Sequence, residues 1–238
     1  MKAILLAGGV GSRISDSINK LPKSLLEVNN VPLIVNAVKL LQKNHIEVIV
    51  VTGFKHKLVE KALEDYNVKI YYNPFFSATN SIGSLWFARD EFNITKEMII
   101  ANADLYYNQD LLNVIFNSEK KNFMLKDKKS VETGDYFFRT NKDGTIAAYG
   151  KDLLLSERDS EYVGIACLKD EWVSKFRDRM CNMIENGEYN LWWENVLYSF
   201  ASSERIHTED VGDVFWSEVD KIEDYNRILR YIKENNKS

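Results

Sequence analysis

The chain has only two cysteines and three histidines, no apolar run long enough to span a membrane, and no excess of positive charge. Each shortage excludes a class of function. Cys167 and Cys181 do not form a CxxC pair, and His45, His56 and His207 are scattered, so these residue types cannot build a zinc site alone. Both thiols are expected to be reduced. No Ser/His/Asp or Cys/His set of the kind that activates a covalent nucleophile is visible. A net charge of −4, from 31 Lys and Arg against 35 Asp and Glu, gives no broad basic field, which argues against a nucleic-acid partner. Any anion site must therefore be local. The first apolar run opens at Ala3 and leaves no room for a signal peptide; with no membrane span either, the expected location is the cytoplasm. Linkers, repeats and low-complexity segments are also missing. The 238 residues, 45% apolar and 28% charged, suffice for one generous core or one core with an appendage.

What is present is concentrated in residues 1–23, MKAILLAGGVGSRISDSINKLPK. Residues 3–7 have the length and bulk of a buried parallel strand, and the run stops at Gly8, Gly9 and Gly11. Without Cβ atoms, such a loop can bring backbone N–H groups close to an anion such as a triphosphate. Arg13 and Lys23 add two positive charges to it. The Walker A pattern does not fit, because the lysine follows Pro22, outside the glycine run. The dinucleotide fingerprint Gly-x-Gly-x-x-Gly does not fit either.

Further along, helical spacing over 34–43 after Pro32, a buried strand at 47–52, helical spacing over 58–66 and a strand at 68–72 give a βαβ rhythm. That rhythm implies right-handed crossovers, a parallel sheet, and a ligand at the carboxyl ends of the strands. A polar turn from Asn73 leads into a helix with Ile82, Leu85 and Trp86 on one face, capped by Thr79 or Asn80. Residues 97–103 form a fourth strand that delivers Asp104 at its carboxyl end, where a carboxylate beside a phosphate loop can hold Mg²⁺. Its alternative role is to cap the next helix, a task open to Asn108 or Asp110. From Asn122 the pattern shifts to short strands at 123–126, 136–139 and 145–149, then a strand at 162–168 and helices over 171–184, 191–197 and 225–232. The fold class expected is α/β: a mostly parallel, Rossmann-like sheet flanked by helices, with a small inserted β/α lid.

The stretch Leu6-Ala7-Gly8-Gly9-x-Gly11-Ser12-Arg13, followed by Pro22-Lys23-x-Leu25, Val28 and Pro32-Leu33, resembles the nucleotidyltransferases that make nucleotide-activated sugars and alcohols. Asn80-x-x-x-Ser84-Leu85 and the segment Ser217 to Tyr225 (SEVDKIEDY) are similar to the LicC-type choline-phosphate cytidylyltransferases of bacteria. The resemblance implies one nucleotidyltransferase domain over 1–238, with residues 1–120 binding nucleotide and 121–238 forming the acceptor half and lid. It also implies a Mg²⁺-dependent transfer of CMP from CTP to a small phosphorylated amine or alcohol, phosphocholine first, with release of pyrophosphate.

Residue by residue, the resemblance gives Arg13 and Lys23 catalytic roles and puts Leu6, Ala7, Gly8, Gly9, Gly11, Ser12, Asn80, Gly83 and Ser84 against the nucleotide. Asp104 and Asp220 become metal ligands, although Asp220, with Glu223 three residues on, also reads as a capping box. Tyr136, Trp192 and Glu218 match an aromatic and acidic enclosure for a cationic acceptor, with Trp193 and Glu194 adjacent. Trp192 and Trp193 are consecutive, so only one of them can be fully buried. Lys151, with Lys126 as competitor, is the candidate for the acceptor phosphate. Because that phosphate is already anionic, the transfer needs positioning and charge stabilisation and no protein base. Phosphoglutamine in capsule decoration or 2-aminoethylphosphonate would suit the same enclosure. A sugar-1-phosphate nucleotidyltransferase and a non-catalytic nucleotide-binding regulatory subunit are the competing readings. Self-association into a homo-oligomer is left open.

Overall fold

The computed structural model describes residues 1–11, 18 and 20–235. The first part of the chain forms β1 (Lys2–Ala7), a small hairpin of β2 (Glu27–Val28) and β3 (Val31–Pro32), α1 (Leu33–Lys43), β4 (Glu47–Thr52), α2 (His56–Ala62), β5 (Val68–Tyr72), α3 (Ser81–Phe87), β6 (Glu97–Asn102), β7 (Leu105–Tyr107) and α4 (Gln109–Asn117). The remainder forms β8 (Asn122–Asp127), β9 (Phe137–Thr140), β10 (Ile146–Gly150), β11 (Ser160–Lys169), α5 (Glu171–Glu185), α6 (Asn195–Tyr198), β12 (His207–Asp210), β13 (Trp216–Glu218) and α7 (Ile222–Asn235).

The α/β reading is what the structure shows: helices cover both faces of one large sheet. β6, β1, β4 and β5 lie side by side and parallel, as apolar runs buried on both faces require. Alternate residues serve opposite faces. Ala3, Leu5 and Ala7 of β1 join Ile34, Val38 and Leu41 of α1 in one core layer, whereas Ile4 joins Ile82 and Leu85 of α3 and Phe176 and Met180 of α5 in the other. Each such side chain removed from water contributes about 1.5–3 kcal/mol. β8 to β12 of the second half extend the same sheet, and β11 runs antiparallel to β6, β8 and β9.

Two local features aim residues at the carboxyl ends of the parallel strands. The register of β11 against β8 shifts between Tyr162 and Ala166, around Gly164, whose φ of +85° favours glycine. There, an added Cβ would meet Asn102 Nδ2 at 3.3 Å. Beyond β6, β7 pairs antiparallel with β13, with Leu105 opposite Glu218, and the Val219 N–H donates to the Asp104 carbonyl at 3.1 Å. Segments more than a hundred residues apart are thereby joined beside Asp104.

The helix expected over 191–197 is confined to Asn195–Tyr198. The reason lies in the neighbouring start of α3. Asn80 N–H donates to the Tyr189 carbonyl at 2.9 Å, Ile82 N–H to the Leu191 carbonyl at 3.3 Å, and Trp193 N–H to Ser81 Oγ at 2.9 Å. The backbone of this segment is used in tertiary hydrogen bonds.

Candidate active site

A cavity of about 460 Å³ opens at the carboxyl ends of β1 and β6. Its floor is the loop after β1: Leu6, Ala7, Gly8, Gly9 and Gly11 all line it. Gly11 has φ +64°, and the Lys23 side chain lies against it so closely that a Cβ there would sit 3.0 Å from Lys23 Cγ. Lys23 is thus threaded over the glycine loop into the cavity. Ser12 and Arg13, expected at this loop, lie outside the described residues.

Lys23 ends between two carboxylates. Its Nζ is 2.6 Å from Asp220 Oδ1 and 3.4 Å from Asp104 Oδ2. Burial alone would favour the neutral amine, but Asp104, Asp220 and Glu218 outweigh it and raise its pKa. Asp104 is pushed up from the usual carboxylate range by burial, with Lys23 opposing and Asp220 reinforcing the shift. Glu218 is raised strongly by burial and by Asp104 and Asp220, and it accepts a hydrogen bond from Asn102 Nδ2 at 3.0 Å. The capping alternative for Asp220 is answered by Asp224, whose carboxylate accepts from the backbone N–H groups of Asp220 and Lys221 at 3.0 and 2.8 Å. Asn108 accepts from Asp110 N–H and caps α4, which leaves that task off Asp104.

Among the described residues no three Asp, Glu, His or Cys side chains form a complete metal shell. Two aspartates do converge on one cation, the Lys23 ammonium. Two hard oxygen donors, with further positions left to water and substrate phosphate, are the donor chemistry that suits Mg²⁺. The residues present therefore fit the ion expected from the sequence.

At one side of the cavity, Asn80 caps α3 through a hydrogen bond from Ser81 N–H at 2.8 Å, and Asn73 Nδ2 donates to Ser84 Oγ and Thr79 Oγ1, each at 3.0 Å. Asn80 and Ser84 both line the wall. Gly83 does not: it faces Thr79, whose Cβ an added methyl would meet at 2.7 Å, so its place is in helix packing.

The opposite side is aromatic. Tyr136 is 6.0 Å from Trp192, edge to face, and stacks parallel on Tyr198 at 5.7 Å; Tyr149 stacks on Tyr198 at 4.0 Å. Lys151 Nζ lies 2.7 Å from Asp135 Oδ2 and 5.1 Å from the centre of the Trp192 ring. Glu194 is buried here, and burial lifts its carboxyl to about 8, with Lys151 acting in the other direction. Trp192 is 41% exposed and Trp193 fully buried. Trp193 Nε1 donates to Asn102 Oδ1 at 3.1 Å, which makes it a support of the wall. Lys126 does not reach the cavity; it donates to Thr140 Oγ1 at 3.0 Å and pairs with Asp159.

Sequence reasoning missed several residues that line the cavity, among them Asn102, Asp135, Glu161, Tyr162 and Tyr198. For Asn102 a signal existed, a polar residue ending a buried strand two positions before Asp104. The tyrosines read as ordinary core residues.

The family model for the MobA-like NTP transferase domain matches residues 3–129. The choline-phosphate cytidylyltransferase of Streptococcus pneumoniae is 24% identical, the match covering 99% of this chain and 100% of that one. The CTP:phosphoglutamine cytidylyltransferase of Campylobacter jejuni is 25% identical over 74% of this chain and 76% of its own. In structure, the CTP:phosphocholine cytidylyltransferase LicC of S. pneumoniae superposes with a TM-score of 0.78 at 20% identity, covering 97% of this chain and 98% of that one, a likeness of fold.

Proposed function

Because the chain belongs to the MobA-like NTP transferase domain family, we propose that it is a Mg²⁺-dependent cytidylyltransferase that moves CMP from CTP to a small phosphorylated amine or alcohol of the phosphocholine kind, releasing pyrophosphate. The observation that carries the reading is the shared cavity: a glycine loop, Lys23 between Asp104 and Asp220, and an aromatic wall with a buried glutamate line one space. The cytidylyltransferase relatives, matched over most or all of the chain, support CTP as donor.

In this reading the N–H groups of Gly8 to Gly11 bind the triphosphate, and Asn80 and Ser84 hold the base. Asp104 and Asp220 would hold Mg²⁺, which when bound neutralises charge on the phosphates. Lys23 passes from its carboxylate partners to the triphosphate when nucleotide enters. Lys151 grips the acceptor phosphate. A phosphate oxygen of the acceptor attacks the α-phosphorus; the new P–O bond forms as the bond to the β-phosphate oxygen breaks, and pyrophosphate leaves with that electron pair. No base is needed, since the attacking oxygen is already ionised.

The experiment is pyrophosphate release with Mg²⁺, testing CTP, UTP, dTTP, ATP and GTP against phosphocholine, phosphoethanolamine, phosphoglutamine, 2-aminoethylphosphonate and glucose-1-phosphate. Turnover with CTP and a nitrogen-bearing acceptor is expected. Turnover only with the sugar phosphate would overturn the acceptor assignment, and silence with every pair would overturn the reading as a whole.

A further inference from the structure

The aromatic wall is less open to a cation than its composition suggests. Tyr198 is stacked with both Tyr149 and Tyr136, and Tyr136 meets Trp192 edge to face. The Trp192 ring already has the Lys151 ammonium 5.1 Å from its centre. A quaternary ammonium has no N–H and is recognised through open aromatic faces, several at once. Here Tyr198 is stacked against two other tyrosines, and the half-exposed Trp192 ring already has Lys151 beside it.

Hydrogen-bonding capacity, by contrast, is unused. The Glu194 carboxylate lines the cavity, and among the described residues no other residue donates a hydrogen bond to it. Beside it the Tyr162 ring closes the wall, its hydroxyl sealed from water and so out of a ligand's reach. Tyr162 is fixed where it is: its N–H donates to the Tyr136 carbonyl at 2.8 Å, just before the register shift of β11. Buried acceptors without donors are unfavourable, and a ligand that brings N–H groups removes the penalty.

Resting on the cytidylyltransferase reading above, we infer that the acceptor carries a primary ammonium, whose N–H groups are taken up by Glu194, and that the site discriminates against the trimethylated analogue. The lifted proton affinity of Glu194 agrees with this, since a carboxyl that stays neutral without ligand gains a counter-charge when an ammonium binds. Each N–H replaced by N–CH₃ removes a donor to a buried charged group and adds bulk against rings that are already in contact.

The test is kcat/KM with CTP for phosphoethanolamine, its N-methyl and N,N-dimethyl derivatives, and phosphocholine. A monotonic fall is expected, with phosphoethanolamine about 10- to 100-fold above phosphocholine, as for hydrogen bonds to charged groups. The difference should reside in KM. Glu194→Gln, nearly isosteric, should narrow the ratio several-fold. A ratio of one, or a preference for phosphocholine, overturns this inference while leaving the cytidylyltransferase reading intact. An unchanged ratio in this variant also overturns it. No turnover of any of the four with CTP defeats the parent reading and this one together.

Discussion

Lys23 Nζ and Asp220 Oδ1 stand 2.6 Å apart although 197 residues separate them in the chain. The contact ties the glycine loop at the start of the fold to the strand and helix that end it. With Asp104 at 3.4 Å on the other side, a lysine sits where the two aspartates point. Lys23→Ala should therefore do two separable things. It should lower kcat by about 100-fold or more, the scale of a lost charge-stabilising group. It should also remove the Lys23 charge from between Asp104 and Asp220, so that Mg²⁺ raises the melting temperature of the variant more than that of the parent. Equal Mg²⁺ shifts in calorimetry would show that the aspartates do not share a metal position with the ammonium.

Asp104→Asn and Asp220→Asn test the same pair from the other side. Each should raise the Mg²⁺ concentration needed for half-maximal pyrophosphate release by at least about tenfold, as expected when a carboxylate ligand to a hard cation becomes a neutral amide. A Mg²⁺ titration of either variant that overlays the parent curve would remove that aspartate from the ligand set.

Glu194 predicts a pH dependence. Burial raises its pKa to about 8, and Lys151, the tyrosines 136, 162 and 198 and its own backbone N–H are the groups around it. The ionised form binds an ammonium acceptor best. Acceptor kcat/KM should consequently climb through pH 8 and level off above it, a step distinct from the second ionisation of the acceptor phosphate near about pH 6. In Glu194→Gln the step at 8 should vanish. The folded protein holds this proton more tightly than the unfolded chain, so the same group lowers stability as pH rises from its ordinary value of 4.5 towards 8.

The glycine loop, the βαβ rhythm and Asp104 could be read from sequence because each depends on local pattern: a periodicity, a run that stops, a carboxylate at a strand end. The acceptor wall was harder to read. Tyr136, Lys151, Trp192, Glu194 and Glu218 were named through a resemblance, and they do line one cavity. Tyr162 and Tyr198 went unnoticed because a tyrosine in an apolar run is indistinguishable from core until the opposite strand is known. The helix over 191–197 failed for the same reason. Its residues have helical spacing, but the donors and acceptors that hold residues 189–193 out of a helix come from residues 80–82 at the start of α3, a tertiary contact that no local pattern records.

Asn102 owes its role to partners that only the fold brings to it. Its side chain spans from Trp193 Nε1, at 3.1 Å, to Glu218 Oε1, at 3.0 Å. Asn102→Ala leaves a buried indole N–H unpaired and a carboxyl without its donor, at a cost of about 1–3 kcal/mol. Since Glu218 and the Trp193–Glu194 segment lose a common anchor, acceptor KM should rise while KM for CTP stays near the parent value. A rise confined to CTP would mean that Asn102 serves the nucleotide side.

The far end of the sheet from the cavity holds a buried charge cluster. Glu91 is almost fully buried, yet it accepts from Lys2 Nζ at 2.8 Å, from Tyr71 Oη at 2.5 Å and from Lys69. Burial alone would raise its pKa; the hydrogen bonds from Lys2, Lys69 and Tyr71 outweigh that and hold it down at about 2. A carboxyl depressed in the folded state stabilises the fold fully above its unfolded pKa near 4.5, and the contribution is lost as pH falls from there towards 2. Glu91→Gln keeps the shape and removes the charge, leaving Lys2 with Glu47 alone at 2.8 Å. The variant should be less stable by about 3 kcal/mol at neutral pH, the low end for breaking a buried pair, because Glu47 remains. Below about pH 4 the parent should converge on the variant in urea unfolding, since protonation does to Glu91 what the substitution does. Activity at neutral pH and moderate temperature should be unchanged, because nothing in this cluster lines the cavity. A stability gap that stayed constant down to pH 2.5 would mean that the cluster acts through packing, with the charge of Glu91 contributing nothing.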